Sequence, residues 1–449
     1  MNIFSAHAVA IIASVWLAAH VSGTASAQSP ADNWGHWRGP NFNGHAPSAD
    51  PPVQWSEQHN LAWKVALPGD GTATPIVWDD QVFVMSSVET QAKDTSIPDP
   101  DDQPKTNFFD IKRPNRVHEF VVTSWDRETG DLRWQRTATS KVPHQGAHHD
   151  NDFASASPVT DGKRLYCWFG SAGLFAFDLN GDLAWRRNLG EAQVGSSLGE
   201  GASPALHDGR LVIVRDHAGQ SSIEAFDSKD GRTLWRRERD EDNAWATPIV
   251  TEHSGATQVI TAASGAIRSY DMDNGNILWQ CGGLTGNVIP CPIVWNGHVI
   301  CMSGYQGYAA LAIPLDRRGV FDASEVSLWN IDRGTPYIPS PVLVGERLFY
   351  TQSNQAILSC LDVRTGEILF GPQRLDPIRN LYASPVAAGD RVYFVGRGGT
   401  TVVMDAAKDQ RVLAVNRLND RFDASPAISA DRLFLRGEQN LYCIAAEAE

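Results

Sequence analysis

Ser157-Pro158-Val159-Thr160-Asp161-Gly162-Lys163-Arg164-Leu165-Tyr166-Cys167-Trp168-Phe169-Gly170-Ser171-Ala172-Gly173-Leu174-Phe175-Ala176-Phe177-Asp178-Leu179-Asn180-Gly181-Asp182-Leu183-Ala184-Trp185 decides the fold. Pro158 opens a strand, where a missing N–H is tolerated. Asp161-Gly162 is a turn signal. Leu165 to Phe169 is a short apolar, aromatic run and reads as a buried strand. The glycines at 170 and 173 turn the chain again, and Leu174 to Phe177 forms a third strand. Asn180-Gly181 is a strong hairpin turn, and Leu183-Ala184-Trp185 starts a fourth strand. One unit is thus a four-stranded antiparallel meander of about 44 residues, the length of a propeller blade.

The unit recurs along the chain. A small residue followed by proline stands at Thr74-Pro75, Ser157-Pro158, Ser203-Pro204, Thr247-Pro248, Cys291-Pro292, Ser340-Pro341, Ser384-Pro385 and Ser425-Pro426. From Pro158 to Pro426 the prolines are 41 to 49 residues apart. A second signature marks the outer strands: Asp126, Gly130, Trp134; Asp178, Gly181, Trp185; Asp227, Gly231, Trp235; Asp271, Gly275, Trp279. Later copies decay. Asp362 and Gly366 lead to Phe370, Asp405 is followed by Lys408-Asp409-Gln410, and the unit after Pro292 keeps only Trp329. Trp63, Trp134, Trp185, Trp235, Trp279 and Trp329 are expected to dock each blade on the next, burying an indole and using its N–H on a backbone acceptor.

The expected architecture is all-β, an eight-bladed propeller. The eighth unit ends after three strands, at Leu441 to Ile444. Asn60-Leu61-Ala62-Trp63-Lys64-Val65 resembles Asp182-Leu183-Ala184-Trp185-Arg186-Arg187. Residues 61–67 are therefore expected to supply the missing strand and close the ring, removing an open sheet edge. This gives a propeller over 61–449 behind an N-terminal extension at 28–60.

The aspartate–glycine–tryptophan repeat resembles the quinoprotein-type (PQQ-like) propeller superfamily. That group includes pyrroloquinoline-quinone alcohol dehydrogenases and the scaffold lipoprotein BamB of the outer-membrane β-barrel assembly machine. Trp37-Arg38-Gly39-Pro40-Asn41, Trp55-Ser56-Glu57 and Ala154-Ser155-Ala156-Ser157-Pro158 are similar to a branch of secreted bacterial PQQ-like repeat proteins. The vicinal cysteine pair typical of the alcohol dehydrogenases is missing. The resemblance implies the fold; it does not carry an activity.

Residues 1–27 read as a secretory signal, with an apolar run from Ala8 to Ala19 and Ala25-Ser26-Ala27 before Gln28. No lysine or arginine precedes Arg38, so the usual basic start is lacking. With no cysteine at the cleavage site, a lipid anchor is not expected. The apolar run is too short to span a membrane. A net charge of −14 argues against nonspecific binding to nucleic acid or anionic lipid. A soluble, monomeric, periplasmic or extracellular protein is expected. Cysteines 167, 281, 291, 301, 360 and 443 show no metal-ligand spacing. They read as buried apolar residues, with a Cys281–Cys291 bridge left open.

Propeller ligands sit at the channel mouth, on loops that precede each small–proline pair. These loops carry Phe153, Trp245, Tyr337, Tyr382 and Phe422, with Asp242, Asn243, Asn287, Arg333, Arg379, Asn380 and Arg421 nearby. Aromatics interspersed with amides can stack on and hydrogen-bond a planar or sugar-like ligand. The loop at 143–152 adds His144, His148, His149 and Asp152, a polar rim in which no metal is expected because a loop fixes no ligand geometry. The candidate ligand residues are therefore His144, His148, His149, Asp152, Trp245, Asn287, Arg333, Tyr337, Arg379 and Tyr382. An insertion at about 89–118 reads as a partly disordered surface loop. The functional expectation is a noncatalytic binding or scaffolding module at the cell envelope, meeting a protein, peptide or glycan through these loops. The alternative is a redox enzyme holding pyrroloquinoline quinone and Ca²⁺ at the channel. A bare ring with little cover disfavours that alternative, so no cofactor is expected.

Overall fold

The computed structural model describes residues 33–105, 108–407 and 410–447, so the signal-like segment lies outside the described residues. Eight antiparallel meanders surround a central channel. Their innermost strands are Ile76–Trp78, Val159–Thr160, Ala205–His207, Ile249–His253, Ile293–Trp295, Val342–Val344, Val386–Ala388 and Ala427–Ser429. We number blades one to eight in that order. Each innermost strand begins just after its small–proline pair, as the turn chemistry requires. Among the described residues, helix is limited to Ala323–Val326 and a few single turns.

Leu61–Ala66 pairs antiparallel with Asn440–Ile444 and completes blade eight, with Trp63 opposite Cys443. The ring is closed by hydrogen bonds between the two ends of the chain, as the sequence predicts.

Indole docking follows the Asp–Gly–Trp pattern, with one exception. Nε1 of Trp63 donates to Arg127 O at 3.0 Å, that of Trp134 to Leu179 O at 2.9 Å, and that of Trp185 to Ser228 O at 3.0 Å. Trp235 donates to Met272 O at 2.9 Å and Trp329 to Val363 O at 2.7 Å. Each acceptor lies in the aspartate turn of the following blade. The turn glycine is needed twice over. Gly275 has φ +72°, and a Cβ there would stand 2.5 Å from the Trp235 ring. Trp279 is the exception because blade five lacks the aspartate turn. Its Nε1 donates to Gln258 Oε1 at 3.2 Å, and Gln258 Nε2 passes the contact on to Leu315 O at 3.1 Å.

The small residue before each proline has a role the sequence reading missed. The backbone N–H of Thr74 donates to Ser157 Oγ, Ser157 to Ser203, and Ser203 to Thr247, at 2.9 to 3.0 Å. Cys291 donates likewise to Ser340, Ser340 to Ser384, and Ser384 to Ser425, at 2.8 to 2.9 Å. A belt of hydroxyls thus ties neighbouring blades around the channel. Proline itself has no N–H, so the preceding residue supplies the bond. At Cys291 the thiol instead donates to Thr247 O at 3.4 Å.

Residues 33–46 close the far end of the channel. Trp34 bridges Val77 of blade one, Thr160 N of blade two donates to Gly35 O, and His45–Ala46 pairs with Ala387 and Ala388 of blade seven. Arg38 is fully buried at the centre. Its guanidinium donates to Pro341 O at 2.6 Å and Pro385 O at 3.0 Å, linking blades six and seven. This explains the Trp-Arg-Gly-Pro segment: it is the plug.

Two expectations need correction or completion. The described residues of the insertion do not form a loose loop. Strands Gln81–Lys93 and Arg116–Asp126 continue to pair outward from blade one, and Gln103 clamps the Arg113 backbone with bonds of 2.8 and 3.0 Å. Proline-rich sequence hid this strand continuation. The Cys281–Cys291 question is answered by burial of two separate thiols: all six cysteines are free and buried.

Candidate functional site

Closure at one end converts the channel into a funnel of about 570 Å³ that opens on the face bearing the small–proline loops. Trp37, carried by the plug, contributes to its lining together with the hydroxyl belt at Thr74, Ser157, Ser203, Thr247, Ser384 and Ser425. The walls carry Trp245, Tyr305, Tyr337 and Tyr382, with Asn151, Asn243, Asn287 and Asn354 between them. Volumes of about 300–1,000 Å³ are usual for small-molecule sites.

Several of these side chains are fixed in place. Trp245 Nε1 donates to Gly199 O at 2.7 Å. The Tyr305 and Tyr337 rings stack 4.9 Å apart at 26°. Burial pushes the Tyr337 phenol above its ordinary range. Asn243 Oδ1 accepts Gly195 N–H at 3.0 Å and Asn354 Oδ1 accepts Ile338 N–H at 3.2 Å.

Of the ten residues expected at the mouth, His148, Trp245, Asn287, Tyr337 and Tyr382 line the funnel. His149 stands on the rim, largely exposed, 3.5 Å from Asp150. His144 turns away and engages Ala192 O at 2.7 Å. Asp152 is half-buried outside the funnel lining, its carboxylate accepting Ala154 N–H at 2.6 Å, and desolvation raises its pKa. Arg333 and Arg379 are exposed and do not join the lining. Phe153 lies edge-on to His118 instead, and Phe422 is buried beside Tyr442. Position in a loop does not fix which way a side chain turns.

The sequence reading missed a charged knot on one side of the mouth. Arg397 spans Asp150 and Asp423, bonding Asp423 at 2.7 and 3.0 Å. Arg421 bonds the same two aspartates at 3.2 and 3.0 Å. Tyr382 donates to Asp150 Oδ2 at 2.9 Å, and the Arg397 guanidinium lies 3.8 Å from its ring centroid. Burial and the Asp150 charge push the Tyr382 phenol up to about 12. Burial raises Asp423 against the pull of Arg397. The two carboxylates and two guanidiniums balance. No spacing signal joins residues 150, 397, 421 and 423; only the ring brings them together.

His148, His149 and Asp150 bring possible ligand atoms within 4.8 Å of one another. The Asp150 carboxylate is already shared by two guanidiniums and a phenol. Adjacent positive charge makes this trio a poor cation site. Above it, the insertion leans over the mouth: Phe109 lines the funnel with its ring edge-on to His148 at 5.3 Å, and Arg113 Nε donates to Pro143 O at 3.3 Å.

Residues 118–371 match the family described as outer membrane protein assembly factor BamB. The chain belongs to this family. Solved structures place members of two functional branches beside it. BamB from Moraxella catarrhalis aligns with a TM-score of 0.57 at 13% identity, over 85% of this chain and 98% of that one. Quinohemoprotein alcohol dehydrogenase from Comamonas testosteroni aligns with a TM-score of 0.62 at 12% identity, over 94% and 82%. A europium-containing methanol dehydrogenase aligns with a TM-score of 0.59 at 9% identity, over 90% and 89%. At these identities the likenesses show the fold alone and do not separate the branches. No curated protein matches the sequence. Among the described residues of this BamB-family chain, no helix is long and apolar enough to cross a membrane.

Proposed function

We propose that this BamB-family chain is an exported, noncatalytic binding module of the cell envelope, and that its ligand or partner enters the plugged funnel. The observation that carries the reading is the funnel itself: a closed-bottomed cavity of about 570 Å³ walled by stacking aromatics and amides. The signal-like residues 1–27 and the family support the location. A monomer suffices, because the ring closes on its own N-terminal strand.

The quinoprotein neighbours raise the alternative of a bound quinone, and the lining argues against it. Pyrroloquinoline quinone carries three carboxylates. Among the described residues no lysine or arginine lines the funnel, so a trianion finds no free positive charge there. Arg397 and Arg421, at the rim, already hold Asp150 and Asp423. A trianion would enter without counter-charge, which is costly in a partly desolvated site. The residues present do not fit the group.

Two measurements test the reading. Calorimetric titration of the mature protein with pyrroloquinoline quinone and Ca²⁺ is expected to give no saturable heat. Envelope components retained by the wild-type protein are expected to be lost from a variant carrying Trp245→Ala and Tyr337→Ala. Equal retention by a folded variant would refute the funnel as the binding site.

A further inference from the structure

We infer that the funnel is a carbohydrate site, built for the end of a neutral oligosaccharide; this rests on the funnel being the binding site at all. Three independent features of the lining point to that ligand class.

The first is the supply of flat apolar faces. Trp245 is pinned through its indole N–H, and Tyr305 and Tyr337, from the loops of blades five and six, form a stacked pair in the same lining. Sugar rings present apolar C–H faces, which aromatic side chains cover while leaving the hydroxyls at the ring edge free to bond.

The second is the state of the polar groups. Ser157, Ser203, Thr247, Ser384 and Ser425 each accept a backbone N–H through the hydroxyl oxygen. None of these hydroxyls donates a hydrogen bond among the described residues, so five O–H donors remain available. Asn243 and Asn354 have their carbonyl oxygens engaged, and their amide nitrogens are likewise without an acceptor among the described residues. A hydroxyl retains acceptor capacity even after taking one bond. Such groups can both give to and take from a polyol, whereas a purely apolar ligand would leave them unpaired.

The third is charge. The carboxylates of Asp150 and Asp423 are matched by Arg397 and Arg421. Among the described residues the lining has no other acidic or basic side chain apart from the imidazole of His148, whose pKa burial and His149 lower. A ligand of either sign gains little there, and a neutral one loses nothing. Together, apolar faces, uncommitted donors and balanced charge specify a neutral sugar rather than an anion, a cation or a lipid.

The test uses the mature protein and an array of neutral oligosaccharides, followed by titration of the retained glycans with tryptophan fluorescence and calorimetry. Saturable binding of at least one neutral glycan is expected. Tyr337→Ala should weaken it about two- to tenfold by removing one stacking face. Asn243→Asp, which keeps the Gly195 contact and removes the amide donor, should weaken it with the fold intact. Tyr305→Ala provides a second stacking variant if Tyr337→Ala fails to fold. Absence of neutral-glycan binding, with envelope components still retained in a funnel-dependent way, would overturn the carbohydrate inference alone. Glycan binding unchanged in folded Tyr305→Ala and Asn243→Asp proteins would also overturn it. Retention of every ligand regardless of funnel variants would remove the underlying binding-site reading as well.

Discussion

Replacing Trp235 by alanine tests how the ring is held together. Trp235 is 6% exposed, its N–H bonds Met272 O at 2.9 Å, and its ring covers Gly275 of the next blade. Truncation of a buried tryptophan costs about 3–5 kcal/mol, including the carbonyl left without its donor. With an unfolding entropy of about 2.1 cal/mol/K per residue over a ring of roughly 400 residues, about 4 kcal/mol lowers Tm by about 5 °C. The second half of the experiment is Gly275→Ala. Alone it combines a left-handed backbone penalty of about 1–2 kcal/mol with a collision against the indole. In the Trp235→Ala background the collision disappears and only the backbone penalty remains. Calorimetry on the wild type, both single variants and the double variant should therefore show a coupling of about 1–3 kcal/mol, the double variant being less destabilised than the sum. A loss under about 0.5 kcal/mol in Trp235→Ala, or additivity within about 0.5 kcal/mol, would refute docking through this pair.

Three further outcomes are expected. Ser203→Ala leaves the buried Ser157 N–H without its acceptor and should cost about 1–3 kcal/mol by denaturant unfolding; an unchanged midpoint would remove the hydroxyl belt as a source of stability. Arg38→Met removes the two carbonyl contacts that anchor the plug, so amide hydrogen exchange should accelerate at residues 34–46 while the outer strands stay protected; uniform protection would contradict the plug's dependence on Arg38. Burial, reinforced by Arg38, lowers the His36 pKa from 6.5 to about 3. The unfolded chain therefore binds the proton first, so stability is fully present above about pH 6.5 and is lost as pH falls toward about 3. His36→Asn, which keeps an acceptor for the Arg38 N–H at lower volume, should flatten that part of the stability–pH profile, and an unaltered profile would show that another group dominates it.

The fold was legible because propeller blades repeat their turn chemistry. Proline fixed each strand start, and aspartate, glycine and tryptophan fixed each outer turn, so blade number and ring closure could be read from spacing. Trp279 departs from the docking rule for a reason the sequence partly displayed, the missing aspartate turn in blade five. The substitute, Gln258, carries no signal of its own. The site was legible in outline only. Loop aromatics such as Trp245 and Tyr337 were found because each precedes a known strand start. Arg333 and Arg379 were expected on the same grounds but turn outward, since nothing in a loop's spacing sets side-chain direction. The Asp150–Arg397–Asp423–Arg421 knot joins loops more than 240 residues apart in part, and only closure of the ring makes them neighbours. The Trp37-Arg38-Gly39-Pro40 segment stands out in the sequence, but its place as the plug does not. A buried arginine bonding two backbone carbonyls across blades has no sequence periodicity to reveal it.

The most direct test of the functional account is a crystal structure of the mature protein with a neutral oligosaccharide retained from the array. The account predicts a sugar ring against Trp245 or the Tyr305–Tyr337 pair, with its hydroxyls against Asn243, Asn354 and the hydroxyl belt. A ligand bound on the outer blade edges, with the funnel filled only by water, would contradict it.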